Sequence, residues 1–269
     1  MLFRSRDFAR AIGSYLRDKA DEISLIEEID IAQHLTKFEH DSYIRIVRES
    51  ARELKKSAPE LPVSSIGVAS PDFNANPPLA AMKHFWKELS GELDAIGFDG
   101  YITPNCFGEG RIAGTPESNR YREKLVEIAK LSRDAGKQYF SMEEAGWSMV
   151  STTPLASRAW LDYAAILQRT LILSKSVPEM KHYLYFKVTD GQRLEDWNIF
   201  TGQGTIPTAG AAAFGVVAHN LAFAVNPEPV ILHQELHIYL FDQEGKTLST
   251  LWSTAPGGNR FRLTLPDDT

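Results

Sequence analysis

An α/β protein with a parallel central sheet and a short antiparallel β unit at its C-terminal end is what the sequence predicts, on three observations. Strand-like and helix-like stretches alternate five times over residues 1–226, the pattern of parallel βαβ units. From Glu228 the texture changes to β-rich runs broken by turn residues, with no helix between them. Between these regions in character, Gln138-Tyr139-Phe140-Ser141-Met142 reads as a buried strand after a helix that stops at Gly136, and Glu143-Glu144-Ala145-Gly146-Trp147 follows at once. A strand ending in a carboxylate, then a turn glycine and an aromatic, is how an α/β barrel presents a reactive group at its mouth.

Taken in order, Phe8, Ile12, Tyr15 and Leu16 fall at helical spacing in an outer helix that runs to about Lys19. Residues 25–32, LIEEIDIA, form a strand candidate. Period two places Glu27, Ile29 and Ile31 on one face and Glu28, Asp30 and Ala32 on the other. The first face suits a helix layer, so Glu28 and Asp30 are expected to point into the barrel, where carboxylates are costly unless paired or used. A helix over 41–57 carries Tyr43, Ile46, Val47, Ala51 and Leu54 on one face, with Pro59 soon after it. A strand over 63–70, a helix over 79–91 and a strand over 95–102 follow. The Gly- and Pro-rich stretch after that last strand has the length and composition of a functional rim. A helix over 118–135 leads to the strand at 138–142. Beyond it come a helix over 154–174, an aromatic-rich strand over 182–188, a loop with Trp197 and Phe200, and an alanine-rich helix over 208–223. The last unit reads as three strands, 230–242, 246–254 and 261–266.

Several function classes are excluded by composition and motif. The 269 residues, 43% hydrophobic and 24% charged, suffice for one large core or two small ones. A net charge of -6 supplies no basic field for phosphates, so nucleic acid is not an expected partner. No apolar run approaches the roughly 18 residues of a membrane span, so no membrane partner is expected. The first residues lack the apolar run and cleavage site of a signal peptide. Cys106 is the single cysteine, so no internal disulfide forms and the redox compartment stays open. The seven histidines are dispersed; His233 and His237 alternate with apolar residues on a β strand, where solvent exposure is expected. The run Gly108 to Gly114 follows a loop, which is not the context of a nucleotide-binding turn. No metal and no cofactor are therefore expected.

The order of elements resembles the second half of a clan-A glycoside hydrolase barrel with the start of its appended β-domain, and is similar to glycoside hydrolase family 39. Three short motifs carry the resemblance. Glu144-Ala145-Gly146-Trp147 resembles the nucleophile strand, Glu-x-Gly-Trp after an apolar run. HIYLFDQEGKTLSTLWS, from His237, resembles a strand pair of the β-domain. Residues 25–32 fall where the family carries Glu-Ile-Trp-Asn-Glu-Pro, whose last glutamate is the general acid/base. Aligning Glu28-Ile29 on the start of that motif places Ile31 at the asparagine and Ala32 at the acid/base, and neither can do that chemistry.

The resemblance implies a partial (β/α)8 TIM-type barrel, about strands 4 to 8, over 1–226, and an incomplete β-domain over 227–269. It implies retaining hydrolysis of a β-linked oligo- or polysaccharide, with Glu144 as nucleophile and Asp30 or Glu28 as the candidate acid/base. Those two stand one or two positions deeper than the family's glutamate, and a residue pair along a strand is roughly 6 to 7 Å. Tyr101 is expected to hydrogen-bond the nucleophile, Trp147 and Trp197 to stack on sugar, and Gln33, His34 and Asp190 to contact it. Glu143, by alternation, is expected to face away from Glu144 and join a salt bridge in the helical shell. Five parallel strands leave two open edges, so the chain is expected to be unstable alone, oligomeric, or completed by a missing N-terminal barrel half. The alternative reading is a non-catalytic glycan-binding or scaffold relative; a metal-dependent isomerase using Glu28, Asp30 and Glu144 is a third.

Overall fold

A computed structural model describes residues 2–25, 40–66, 79–102, 106–108, 114–150, 152–186, 195–196, 199–201 and 206–255. Five parallel strands form its central sheet in the order β1-β2-β3-β5-β7. They are β1 (Ile23–Ser24), β2 (Val63–Ile66), β3 (Ala95–Asp99), β5 (Phe140–Ala145) and β7 (Met180–Tyr185). Helices α1 (Leu2–Leu16), α2 (His40–Ser57), α3 (Ala80–Leu89), α4 (Tyr121–Asp134), α5 (Arg158–Lys175) and α6 (Ala209–Leu221) alternate with them. Before α6 the short strands β9 (Phe200–Thr201) and β10 (Ile206–Pro207) pair with each other, and beyond it β11 (Val225–His233), β12 (Leu236–Gln243) and β13 (Lys246–Ser253) make an antiparallel sheet. The expected α/β class, a half-barrel with a separate antiparallel unit, is therefore what forms.

Alternation along the strands sorts the sheet's two faces. Ile96, Phe98, Phe140 and Met142 point into the helix layer, where Tyr121 of α4 donates to Met142 Sδ at 3.3 Å. The other face carries Ser64, Gly97 and Ser141. Glu22, next to outer strand β1, receives the Ser141 hydroxyl at 3.3 Å and lies 3.6 Å from His182 Nδ1 on β7, the opposite outer strand. Contact between the two outermost strands requires that the sheet be rolled, with the serine face inside. Among the described residues no strand pairs with the far edge of β7, where Leu184 is 56% exposed.

The helices fall within a few residues of expectation because their apolar faces are long. In α2, Tyr43, Ile44, Val47, Ala51 and Leu54 are all buried at helical spacing. The strands differ more. Residues 136–139 complete the turn that closes α4: Gly136 takes φ 72° and the Lys137 N–H donates to Ser132 O at 2.9 Å. Pairing then begins at Phe140 and runs through both glutamates, so the strand is shifted from 138–142 to Phe140–Ala145. The described strand β1, Ile23–Ser24, lies just before the strand expected at 25–32; residues 26–39 lie outside the described residues, as do 67–70 and 187–188 at the ends of two other expected strands.

In the C-terminal unit, the segment expected as one strand over 230–242 is a hairpin. It turns at Gln234 and Glu235 with a register shift beside the turn, and residues 261–266 lie outside the described residues. His237 is not solvent-exposed but half-buried, stacked on Trp252 at 5.1 Å and 8°, and burial pushes its pKa down. The Trp252 indole donates to Glu117 at 2.8 Å, and Glu117 in turn lies 3.3 Å from Arg169, which fastens this sheet to α5. Among the described residues no helix is long and apolar enough to cross a membrane.

Tyr121 and Tyr163 are fully enclosed in the helix layer, and burial pushes both phenols above their ordinary value. A raised folded pKa favours the neutral phenol, so its contribution is fully present below the unfolded value of about 10 and is lost as pH rises beyond it. The urea midpoint should accordingly hold from pH 8 to 9.5 and fall steeply above about pH 10. Tyr163→Phe should soften that fall.

Candidate active site

The site is built on a one-residue irregularity in β5. Its register against β3 runs Phe98 with Met142 and then Asp99 with Glu144; against β7 it runs Met142 with Tyr183 and then Ala145 with Tyr185. Both neighbours thus record one extra residue in β5, a β-bulge. Met142 faces the helix layer, and so does Ala145, whose partner Tyr185 bonds through its hydroxyl to Tyr163 of α5. Strict alternation would turn only one of the two intervening residues inward. The bulge turns both Glu143 and Glu144 toward the hollow.

Glu144 stands at the C-terminal end of the strand, opposite Asp99, which is fully buried. Tyr101, two residues past β3 and 6% exposed, donates its hydroxyl to Glu144 Oε1. The Gly100 N–H donates to the Glu144 carbonyl at 2.7 Å, so side chain and backbone are both held from β3. The Tyr101 ring meets Phe186 edge-on at 6.5 Å, which fixes the phenol's approach. A phenol donor on a carboxylate stabilises the charged form and fixes the plane of the group.

Glu143 lies deeper. Its Oε1 accepts the Ser64 hydroxyl of β2 at 2.9 Å, and it reaches that strand by crossing β3 at Gly97, where a Cβ would overlap the carboxylate. The expected salt bridge in the helical shell is thus corrected to a hydrogen bond inside the hollow, because the bulge reverses the alternation that the expectation relied on.

After Glu144 the chain turns sharply. Ala145 O accepts the Phe186 N–H at 2.8 Å, and a side chain at Gly146 would collide with the Phe186 carbonyl. Trp147 is 1% exposed within the hydrophobic core, so it presents no open ring face here. Beyond it β6 (Ser148–Val150) pairs with β4 (Cys106–Phe107) and β8 (Glu195–Asp196) in a small rim sheet at the strand ends. Of the predicted site residues, the structure brings Glu144 and Tyr101 into contact and buries Trp147 beside them. Glu28, Asp30, Gln33, His34, Asp190 and Trp197 lie outside the described residues. Ser64, Gly97 and Asp99 escaped the sequence reading, which also placed Glu143 on the wrong face; the Glu-Glu doublet at a barrel strand's end was the available signal.

A separate cavity of about 150 Å³ lies between α5, β7 and α6, lined by Leu171, Met180, Phe214 and Val217 among others. It is on the helical side of β7 and does not reach Glu144. Among the described residues no cluster of His, Cys, Asp and Glu could hold a metal ion.

No family model matches the sequence, and no curated protein matches it. Solved structures do match. A family 39 glycoside hydrolase from Bacteroides cellulosilyticus WH2 superposes with a TM-score of 0.68 at 20% identity, covering 98% of this chain and 55% of its own. A GH39 β-xylosidase from Caulobacter crescentus gives 0.60 at 13% identity, covering 88% and 51%. A GH128 endo-β-1,3-glucanase from Amycolatopsis mediterranei gives 0.51 at 12%, covering 78% of each chain. The chain therefore shares the fold of glycoside hydrolases, and spans about half the length of the family 39 structures.

Tyr101→Phe removes one hydrogen bond to a charged group, a contribution of about 1.5–3 kcal/mol. The unfolding midpoint of Tyr101→Phe in urea should fall by the equivalent of that loss, with the slope of the transition unchanged.

Proposed function

We propose that this chain is a retaining glycoside hydrolase acting on a β-linked oligo- or polysaccharide. The observation that carries the reading is Glu144, turned into the hollow at the C-terminal end of β5 and held there by the Tyr101 hydroxyl. In retaining hydrolysis one carboxylate attacks the anomeric carbon while a second, about 5 to 5.5 Å away, protonates the leaving oxygen and then activates water. Glu144 takes the first role and Tyr101 orients it. Asp30 or Glu28 takes the second. Gln33, His34, Asp190 and Trp197 remain the proposed sugar contacts. Trp147, being buried, shapes the turn after the nucleophile.

A second reading is favoured by one feature of the sequence: Ile31 and Ala32 stand where the resemblance requires asparagine and the acid/base glutamate. A chain that has lost its acid is a glycan-binding or scaffold relative. Aryl β-glycosides with a good leaving group separate the two, because departure of such a group needs little protonation. The hydrolase reading predicts turnover of a dinitrophenyl β-glycoside that Glu144→Gln reduces at least about a thousandfold. Saturable binding of oligosaccharide without turnover in the unmutated chain would establish the second reading instead.

A further inference from the structure

Glu143 is a carboxylate inside the hollow with no part in the two-carboxylate reaction. It is also an expensive residue to place there, since a carboxylate taken from water must be compensated by hydrogen bonds. Its setting is built in three pieces from three strands. The bulge in β5 turns the side chain inward, Gly97 of β3 leaves room for it to pass, and Ser64 of β2 donates to its Oε1 at 2.9 Å. Any Cβ on β3 at that position would occupy the space of the carboxylate. Two strands are thus shaped around a side chain that starts on a third.

We propose that Glu143 is a positioning residue for Glu144: a strut from β5 across β3 to β2 that holds the bulge in the form that turns Glu144 into the hollow. The proposal deepens the hydrolase reading and rests on it for its kinetic consequence. Its structural consequence is independent of that reading. The bulged segment is held from one side by the Gly100 N–H on the Glu144 carbonyl, from the other by Phe186 N–H on the Ala145 carbonyl, and beneath by Glu143 on Ser64. Releasing the last frees the bulged segment to shift within its register, with the Glu144 carboxylate displaced from Tyr101. A displacement of about 1 Å at a reacting group can cost about a hundredfold in rate.

The test pairs kinetics on a dinitrophenyl β-glycoside with amide hydrogen exchange at Gly100, whose N–H reports the bulge directly. Glu143→Ala should lower kcat about tenfold to a hundredfold with KM within about twofold, and speed Gly100 exchange at least about tenfold. Amides elsewhere in the sheet, such as Leu25 on Ser64 O, should keep their protection. Glu143→Gln still accepts the Ser64 hydroxyl and should restore both readouts to within about threefold. Gly97→Ala should reproduce the effects of Glu143→Ala, and the double variant should add little to either, as expected for groups acting through one contact.

Unchanged kcat and unchanged Gly100 exchange in Glu143→Ala would overturn the proposal. So would equal loss of protection throughout the sheet, which is the mark of plain destabilisation. Should the unmutated chain turn over no glycoside, the hydrolase reading fails, and faster Gly100 exchange in Glu143→Ala but not Glu143→Gln still decides the strut.

Discussion

The whole site depends on one extra residue in β5. A regular strand between Met142 and Ala145 would send one glutamate to the helix layer and one to the hollow, whereas the register on both neighbours records an extra residue that turns both inward. Met142 and Ala145 are both committed to the helical side, by Tyr121 and by the pairing with Tyr185, so the residues between them must both go inward. The apolar packing of the outer layer thereby dictates the direction of the carboxylates within. A bulge at the end of a barrel strand re-aims a side chain at small cost in pairing, which is why such features gather beside active sites.

The interior is correspondingly polar. Barrel interiors are ordinarily filled by branched apolar side chains in layers. Here the described inner face runs from Glu22, Ser141 and His182 at the strand starts, through Ser64, Gly97 and Glu143, to Asp99 and Glu144 at the strand ends. Three of these carboxylates are met by a hydroxyl donor: Glu22 by Ser141, Glu143 by Ser64 and Glu144 by Tyr101. Hydrogen bonds of this kind hold charge in a low-dielectric setting and fix its direction. The helix layer, by contrast, is anchored by aromatic packing, with Tyr163 meeting Phe107 and Trp160 edge-on at 5.6 Å each.

How much of this could be read from the sequence follows from which signals have a period. Helix faces repeat every 3.6 residues over several turns, so α2, α4 and α5 emerged close to their true bounds. The alternation of strands and helices likewise implied the parallel order. A bulge breaks period two at a single residue and has no pattern of its own, which is why Glu143 was assigned to the wrong face. The hairpin at Gln234 and Glu235 was missed for a related reason: no glycine or asparagine marks the turn, and apolar residues continue on both sides. The Tyr101–Glu144 contact came from family resemblance, and the structure's register of Asp99 with Glu144 explains why it forms.

The most direct measurement is covalent trapping with a 2-deoxy-2-fluoro β-glycoside carrying a dinitrophenolate leaving group, followed by mass spectrometry of the peptides. An attacking carboxylate forms a glycosyl-enzyme ester that the fluorine makes long-lived. The account predicts one sugar per chain, on Glu144, with the phenolate released in equal amount. A sugar carried on Glu143 or on any other residue, or release of phenolate with no labelled peptide, would contradict it.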